Sequence, residues 1–293
     1  MRIKITFKQA KPDQLIPINY QYPLHSFIYH TIERSDSQYS KWLHNSGLLS
    51  GNKKFKYFTF SKLNIPDSGI TDLYGKKYIN IKSDRFEMTV SMMSEKTVEH
   101  FIIGMFEKQR VKIYDGNIES EFFINTVEMV PEPEFRSEMT FKTISPVVLS
   151  RNTFYNGKES QEYISPADKE YAGYFIKNLM EKYITLFQSR QASETGNANN
   201  INTEESQTRT FEQTGDYKSK LITIKRRNSG RKQSKGIFLH IQINRRSGHL
   251  KDGIRGGIRK AVQSGIRVCG SFKETSLSKI YFQNMTKVIV LIK

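Results

Sequence analysis

The stretch PLHSFIYHTIERSDSQYSKWLHNSGLLSGNKKFKYFTFS, residues 23–61, holds a tyrosine, a histidine and a lysine whose types could do chemistry together. Tyr29 lies one step off an apolar helical stripe, which would carry its hydroxyl to the domain surface. His44 falls in the last turn of a short helix, where the helix dipole favours a protonated imidazole and so suits a general acid. Lys56 follows a basic run and opens a strand. Groups of these three kinds suffice to cleave RNA without a metal ion. One helps remove the ribose 2′-hydroxyl proton, one protonates the departing 5′-oxygen, and a cation stabilises charge on the pentavalent phosphorus. RNA supplies its own nucleophile, so the protein has mainly to align the backbone. His25, His30, Lys53 and Lys54 compete for the same roles. A plainer reading stands beside this one: a tyrosine at the rim of a core, a helix-end histidine in solvent, and lysines solvated near a turn.

The elements that must position these groups can be read from hydrophobic spacing. MRIKITF alternates Ile3, Ile5 and Phe7, as a half-buried strand does. Leu24, Phe27, Ile28 and Ile32 follow helical spacing, with Pro23 in the first turn. A second helix is predicted from Ser37 to Ser46, with Trp42 and Leu43 apolar and Gly47 ending it. KYFTFSKL and YINIKSDRFEMTVSM read as strands. Ser94 caps an amphipathic helix whose face carries Val98, Phe101, Ile102, Met105 and Phe106, and Asp115-Gly116 makes a later turn. This order is the split β-α-β, ferredoxin-like pattern.

A second unit begins near MTFKTISPVVLS. A helix is expected from Pro166 to about Phe187, capped by Ser165, with Tyr171, Phe175, Leu179 and Tyr183 in line. Residues 188–216 are polar and read as a long flexible loop. KSKLITIK and KGIFLHIQI read as strands. The fold class expected is α+β, two tandem ferredoxin-like domains over residues 1–135 and 136–293, the second incomplete at its C-terminal end.

The 293 residues carry a formal charge of +17, and its location matters. Residues 226–293 hold 16 lysines and arginines against Asp252 and Glu274, whereas residues 1–225 are nearly balanced. A balance of this kind points to nucleic acid or another anionic partner. One cysteine, Cys269, excludes an intramolecular disulfide. With no signal-peptide pattern and no long apolar run, a cytoplasmic protein away from membranes is expected. No CxxC pair, HExxH or P-loop occurs, so neither metal nor cofactor is expected.

LIPINYQYPLHSFIY, WLHNSG, FKYFTFSKL and FKTISPVVLS, in that order and spacing, resemble the CRISPR-associated endoribonucleases of the RAMP superfamily that cut repeat RNA. The resemblance implies tandem ferredoxin-like domains and metal-independent cleavage of CRISPR repeat RNA to a 2′,3′-cyclic phosphate. By motif it places Tyr29, His44 and Lys56 in the catalytic positions. Partners implied are precursor and processed guide RNA and other effector subunits, for a monomer or homodimer. The alternatives are a non-catalytic RNA-binding RAMP subunit of a guide-RNA complex and an unrelated basic scaffold.

The family's C-terminal glycine motif, of the form G-Y-E-x-G-F-G, is not matched. GIRGGIRKAVQSGIRVCG, residues 253–270, keeps the glycines without the aromatics. Gly-Ile-Arg codons read one nucleotide later can encode Gly-Tyr-Glu or Gly-Phe-Gly, so the region from about Arg226 reads as frame-displaced relative to the family. The other reading is a selected basic loop. Candidate RNA contacts are then Lys53, Lys54, Arg255, Arg259, Lys260 and Arg267.

Overall fold

The first strand follows its alternation. In a computed structural model, β1 (Arg2–Gln9) buries Ile3, Ile5 and Phe7. The structure describes residues 1–50, 53–56, 58–132, 138–195, 209–213, 218–225, 231–238 and 240–245. The chain divides into two units, one of Met1–Leu49 with Lys54–Glu132, the other of Ser50–Lys53 with Pro133–Lys293.

In the first unit β1 leads to β2 (Leu15–Pro17) and then to two helices, α1 (Gln21–Ser35) and α2 (Ser37–Asn45). Short strands β3 (Leu48–Ser50), β4 (Lys53–Phe55) and β5 (Phe58–Phe60) follow. The hairpin β6 (Ser68–Leu73) and β7 (Lys76–Ile81) precedes β8 (Arg85–Met92) and α3 (Glu95–Glu107). Strands β9 (Arg110–Tyr114) and β10 (Glu119–Val130) close the unit. The main sheet is antiparallel in the order β5-β8-β1-β10-β9, so β1 lies at its centre. Its register against β10 shifts between Thr6 and Phe7. The core joins Ile3, Ile5 and Phe7 to Phe86, Phe101 and Phe122, with Leu24, Phe27, Ile28 and Ile32 from α1.

Asp36 makes one junction out of two helix ends. Its backbone N–H donates to the Ile32 carbonyl, ending α1, and its carboxylate accepts from the Tyr39 N–H at 2.8 Å, starting α2. That second bond holds the carboxyl below its usual range. Gly47 ends α2 as expected, with φ of 56° and its N–H on the Trp42 carbonyl. Leu43 is buried, but Trp42 is 42% exposed.

On α3, Ser94 caps the first turn as expected, and Thr97, Val98, Phe101, Gly104 and Met105 are buried. Phe106, expected on the buried face, is 67% exposed. The reason is the approach of α1: a Cβ on Gly104 would collide with the Thr31 carbonyl oxygen, so the buried stripe centres on Gly104 and Phe106 falls beside it.

In the second unit β11 (Glu138–Lys142) precedes the hairpin of β12 (Ser150–Tyr155) and β13 (Lys158–Tyr163). The helix α4 (Tyr171–Thr195) comes next, followed by β14 (Arg209–Gln213), β15 (Lys218–Lys225), β16 (Arg231–Phe238) and β17 (His240–Arg245). β17 lies between β11 and β14 in one antiparallel sheet, and β15 pairs with β16. Tyr171, Phe175 and Leu179 are buried.

Three expectations need correction here. The helix starts at Tyr171 rather than Pro166, because the Ser165 N–H and the Asp168 carboxylate close a turn first, 2.8 Å apart. It continues to Thr195, through residues read as loop, because QSRQASET is polar yet rich in helix-forming Gln, Arg, Ala and Glu. β14 occupies another part of that expected loop. Among the described residues no helix is long and apolar enough to cross a membrane.

Candidate functional site

Three of the predicted residues meet at one ring. Tyr29 projects from the face of α1 beside the buried stripe, and α2 folds back over that face. The Ser40 hydroxyl donates to the Tyr29 carbonyl at 3.2 Å, which docks α2 there. One helical turn further on, His44, in the last turn of α2, comes edge-on to Tyr29, with ring centroids 5.1 Å apart at 76°. The Lys56 ammonium lies 5.5 Å from the centre of the Tyr29 ring and donates to the His44 carbonyl oxygen. Lys56 therefore sits at the C-terminal end of α2, where carbonyl groups favour a cation. His44 is exposed, and its Nδ1 is 3.1 Å from the Asn45 side-chain oxygen.

A fourth residue joins them. His25 stands one helical turn before Tyr29, with ring centroids 4.8 Å apart at 66°. Phe58 of β5 packs against both, 5.3 Å from each. The i, i+4 spacing of His25 and Tyr29 was the available sequence signal, but three histidines shared the stretch and spacing did not rank them. His30 is excluded from the cluster: it is exposed and lies 3.1 Å from Glu33 on its own helix.

The electrostatics follow from packing. Tyr29 is 7% exposed, and its hydroxyl is shut off from solvent with no hydrogen-bond partner among the described residues. The expectation that this hydroxyl reaches the surface is corrected, since α2 covers the helix face next to the stripe. Burial pushes the phenol well above its usual range. His25 is half-buried, and that burial, then the Lys56 charge, then His44, lowers its imidazole to about 4. The cluster thus offers an exposed imidazole, a neutral imidazole and an ammonium around one enclosed aromatic ring. Groups so arranged can move protons to and from a bound phosphodiester and steady its charge.

Lys53 and Lys54 lie on β4, three and two residues before Lys56. Arg255, Arg259, Lys260 and Arg267 lie outside the described residues. Among the described residues, no group of three or more His, Cys, Asp or Glu is placed to hold a metal ion.

The chain as a whole has known counterparts. Residues 15–128 match the family model described as CRISPR-associated protein Cas6, N-terminal, and residues 130–258 match the one described as CRISPR associated protein Cas6, C-terminal. The second match runs past Arg226 but ends within the Gly-Ile-Arg stretch. The chain is 30% identical over 195 residues to CRISPR-associated endoribonuclease Cas6 1 of Methanocaldococcus jannaschii, over 65% of this chain and 68% of that one. It is 24% identical over 181 residues to CRISPR-associated endoribonuclease Cas6 of Pyrococcus furiosus, over 61% of each. Among solved structures, a Cas6-related protein from Pyrococcus furiosus aligns with a TM-score of 0.62 at 20% identity, over 84% of this chain and 87% of that one. The structure described as a RAMP protein binding different RNA substrates aligns with a TM-score of 0.60 at 19% identity, over 87% and 90%. The chain belongs to the Cas6 family of CRISPR-associated proteins.

Proposed function

We propose that this chain is an endoribonuclease that cuts CRISPR repeat precursor RNA into guide RNAs. In this reading it acts without a metal ion, by attack of the 2′-hydroxyl, and leaves a 2′,3′-cyclic phosphate. The observation that carries it is the meeting of His44, Lys56 and a second imidazole around Tyr29. His44 is the general acid for the 5′-oxygen, being exposed in the last turn of α2. Lys56 stabilises charge on the phosphorus, and the Tyr29 ring holds the two in place. The names of the relatives, endoribonucleases from two archaea, support the substrate class.

Both halves are read as ferredoxin-like, residues 1–135 carrying catalysis and 136–293 binding RNA. For the first, the support is the central β1 flanked by β8 and β10, with β5 beyond β8. For the second it is a three-stranded antiparallel sheet beside a long helix in sequence. Lys53 and Lys54 would add phosphate contacts ahead of Lys56.

The test is incubation of the full chain with a labelled CRISPR repeat hairpin in excess EDTA. Cleavage to a cyclic phosphate end is expected. In His44→Ala the rate should fall about 10²–10⁴-fold with RNA affinity little changed. A strict need for a divalent metal refutes the mechanism. Tight binding with no cleavage leaves a non-catalytic RAMP subunit.

A further inference from the structure

Attack by a 2′-hydroxyl needs a group that takes up its proton, and the inference here rests on the reading just given. We propose that His25 is that general base, and that Tyr29 is a positioning residue beneath it rather than a proton acceptor.

The argument starts with what Tyr29 can offer. A phenol is a useful base only as phenolate, and enclosure disfavours that charged form. Its hydroxyl is also cut off from solvent, so a ribose cannot reach it without rearrangement. His25 differs on both counts. It is half-buried, with one side against Tyr29 and Phe58, and no group among the described residues is hydrogen-bonded to its ring nitrogens. The groups facing it are Tyr29 on its own helix, His44 on α2, Lys56 ahead of β5 and Phe58 on β5. None of these is an anion, so the imidazole is neutral at neutral pH and keeps a lone pair.

A base held this low would be weak, and the substrate itself corrects that. A phosphodiester seated beside Lys56 brings a negative charge that offsets the ammonium. The imidazole then grows more basic as the reacting group arrives. Proton acceptance is thus coupled to phosphate binding.

The step balances. A His25 ring nitrogen takes the 2′-hydroxyl proton while the 2′-oxygen bonds to phosphorus. The bond from phosphorus to the 5′-oxygen breaks, and His44 gives that oxygen a proton. The products are a 2′,3′-cyclic phosphate and a 5′-hydroxyl, and solvent returns the two histidines to their starting states.

The experiment measures single-turnover cleavage of the labelled repeat hairpin by the full chain across the pH range, for wild type, His25→Ala, His25→Gln and His44→Ala. His25→Ala is expected to slow cleavage about 10²–10⁴-fold with RNA affinity held. Added imidazole should restore at least about tenfold, in proportion to its free-base form, a response that a merely structural loss would not give. Full activity in His25→Ala beside an inactive His44→Ala overturns this proposal alone. No cleavage by wild type overturns the endonuclease reading and this one with it. If His25→Ala fails to fold, His25→Gln and the wild-type pH profile decide. The acid limb of the rate must follow the His25 imidazole signal seen by NMR in the RNA complex. A limb unchanged in His25→Gln overturns the assignment.

Discussion

Gly47 ends the helix that carries His44 and lies against Phe55 of the strand that leads into Lys56, and Gly47→Ala should damage both stability and cleavage. Its φ of 56° is left-handed, and alanine there costs about 1–2 kcal/mol. A Cβ would also collide with the Phe55 carbonyl oxygen, a backbone atom that cannot swing aside. Overpacking of that kind costs about 1–3 kcal/mol. Together the two terms reach about 2–5 kcal/mol, against a usual net stability of about 5–15 kcal/mol. At about 2–4 °C per kcal/mol, Tm should drop by roughly 4–20 °C. Lys56 follows Phe55 directly, so relief of the clash displaces the ammonium. A shift of about 1 Å costs on the order of 10²-fold in rate at temperatures where the variant is folded. Gly75→Ala is the control, since Gly75 has φ of 67° but no atom within 4 Å of its would-be Cβ. It should show the conformational cost alone and cleave like wild type. Thermal melts and single-turnover cleavage of the three proteins settle the matter. Equal melts and equal rates for Gly47→Ala and Gly75→Ala refute the clash and its link to Lys56.

Tyr29→Phe removes a buried hydroxyl with no partner among the described residues and should raise stability by about 1 kcal/mol, read by urea denaturation. A loss instead would mean that the hydroxyl is satisfied. Stability should also depend on His25. Its folded pKa lies near 4, below the ordinary 6.5, so the unfolded chain takes up the proton first as pH falls. The contribution is complete above about pH 6.5 and is lost progressively towards pH 4, and His25→Gln should flatten denaturant midpoints in that window. For the C-terminal segment, the gene's codons for residues 253–270, read one nucleotide later, should encode glycines followed by aromatic residues. A stop codon, or no aromatics, in that frame removes the displaced-frame reading.

Local patterns announced much of the first unit. The alternation of Ile3, Ile5 and Phe7, the caps at Ser94 and Gly47, and the helical stripe of α1 each rest on short-range rules, and each appears as expected. Tyr29, His44 and Lys56 stand out through the resemblance of their motifs, since spacing alone leaves His25, His30, Lys53 and Lys54 in competition with them, and the structure sets the three around one ring. The enclosure of the Tyr29 hydroxyl was not legible. It depends on α2 folding back over α1, a tertiary event that the periodicity of either helix leaves open. The same holds for Phe106, which belongs to the apolar set of α3 and yet faces solvent because Gly104 sets the contact. The length of α4 was missed for another reason. Polarity suggests a loop there, although Gln, Arg, Ala and Glu oppose no helix.

Where α1 and α3 meet at Gly104, the glycine backbone rests against the main-chain carbonyl of Thr31, too close for any Cβ. Side chains can change rotamer and take up a displacement, whereas two backbones in contact have no such slack. Thr31 is fixed further, because its hydroxyl is tied to the Phe27 carbonyl at 2.8 Å within the same helix. Thr31 faces α3, and Tyr29, two residues earlier, points to the other side with His25 one turn before it. A larger residue at position 104 would therefore press on α1 itself, the helix that carries His25 and Tyr29.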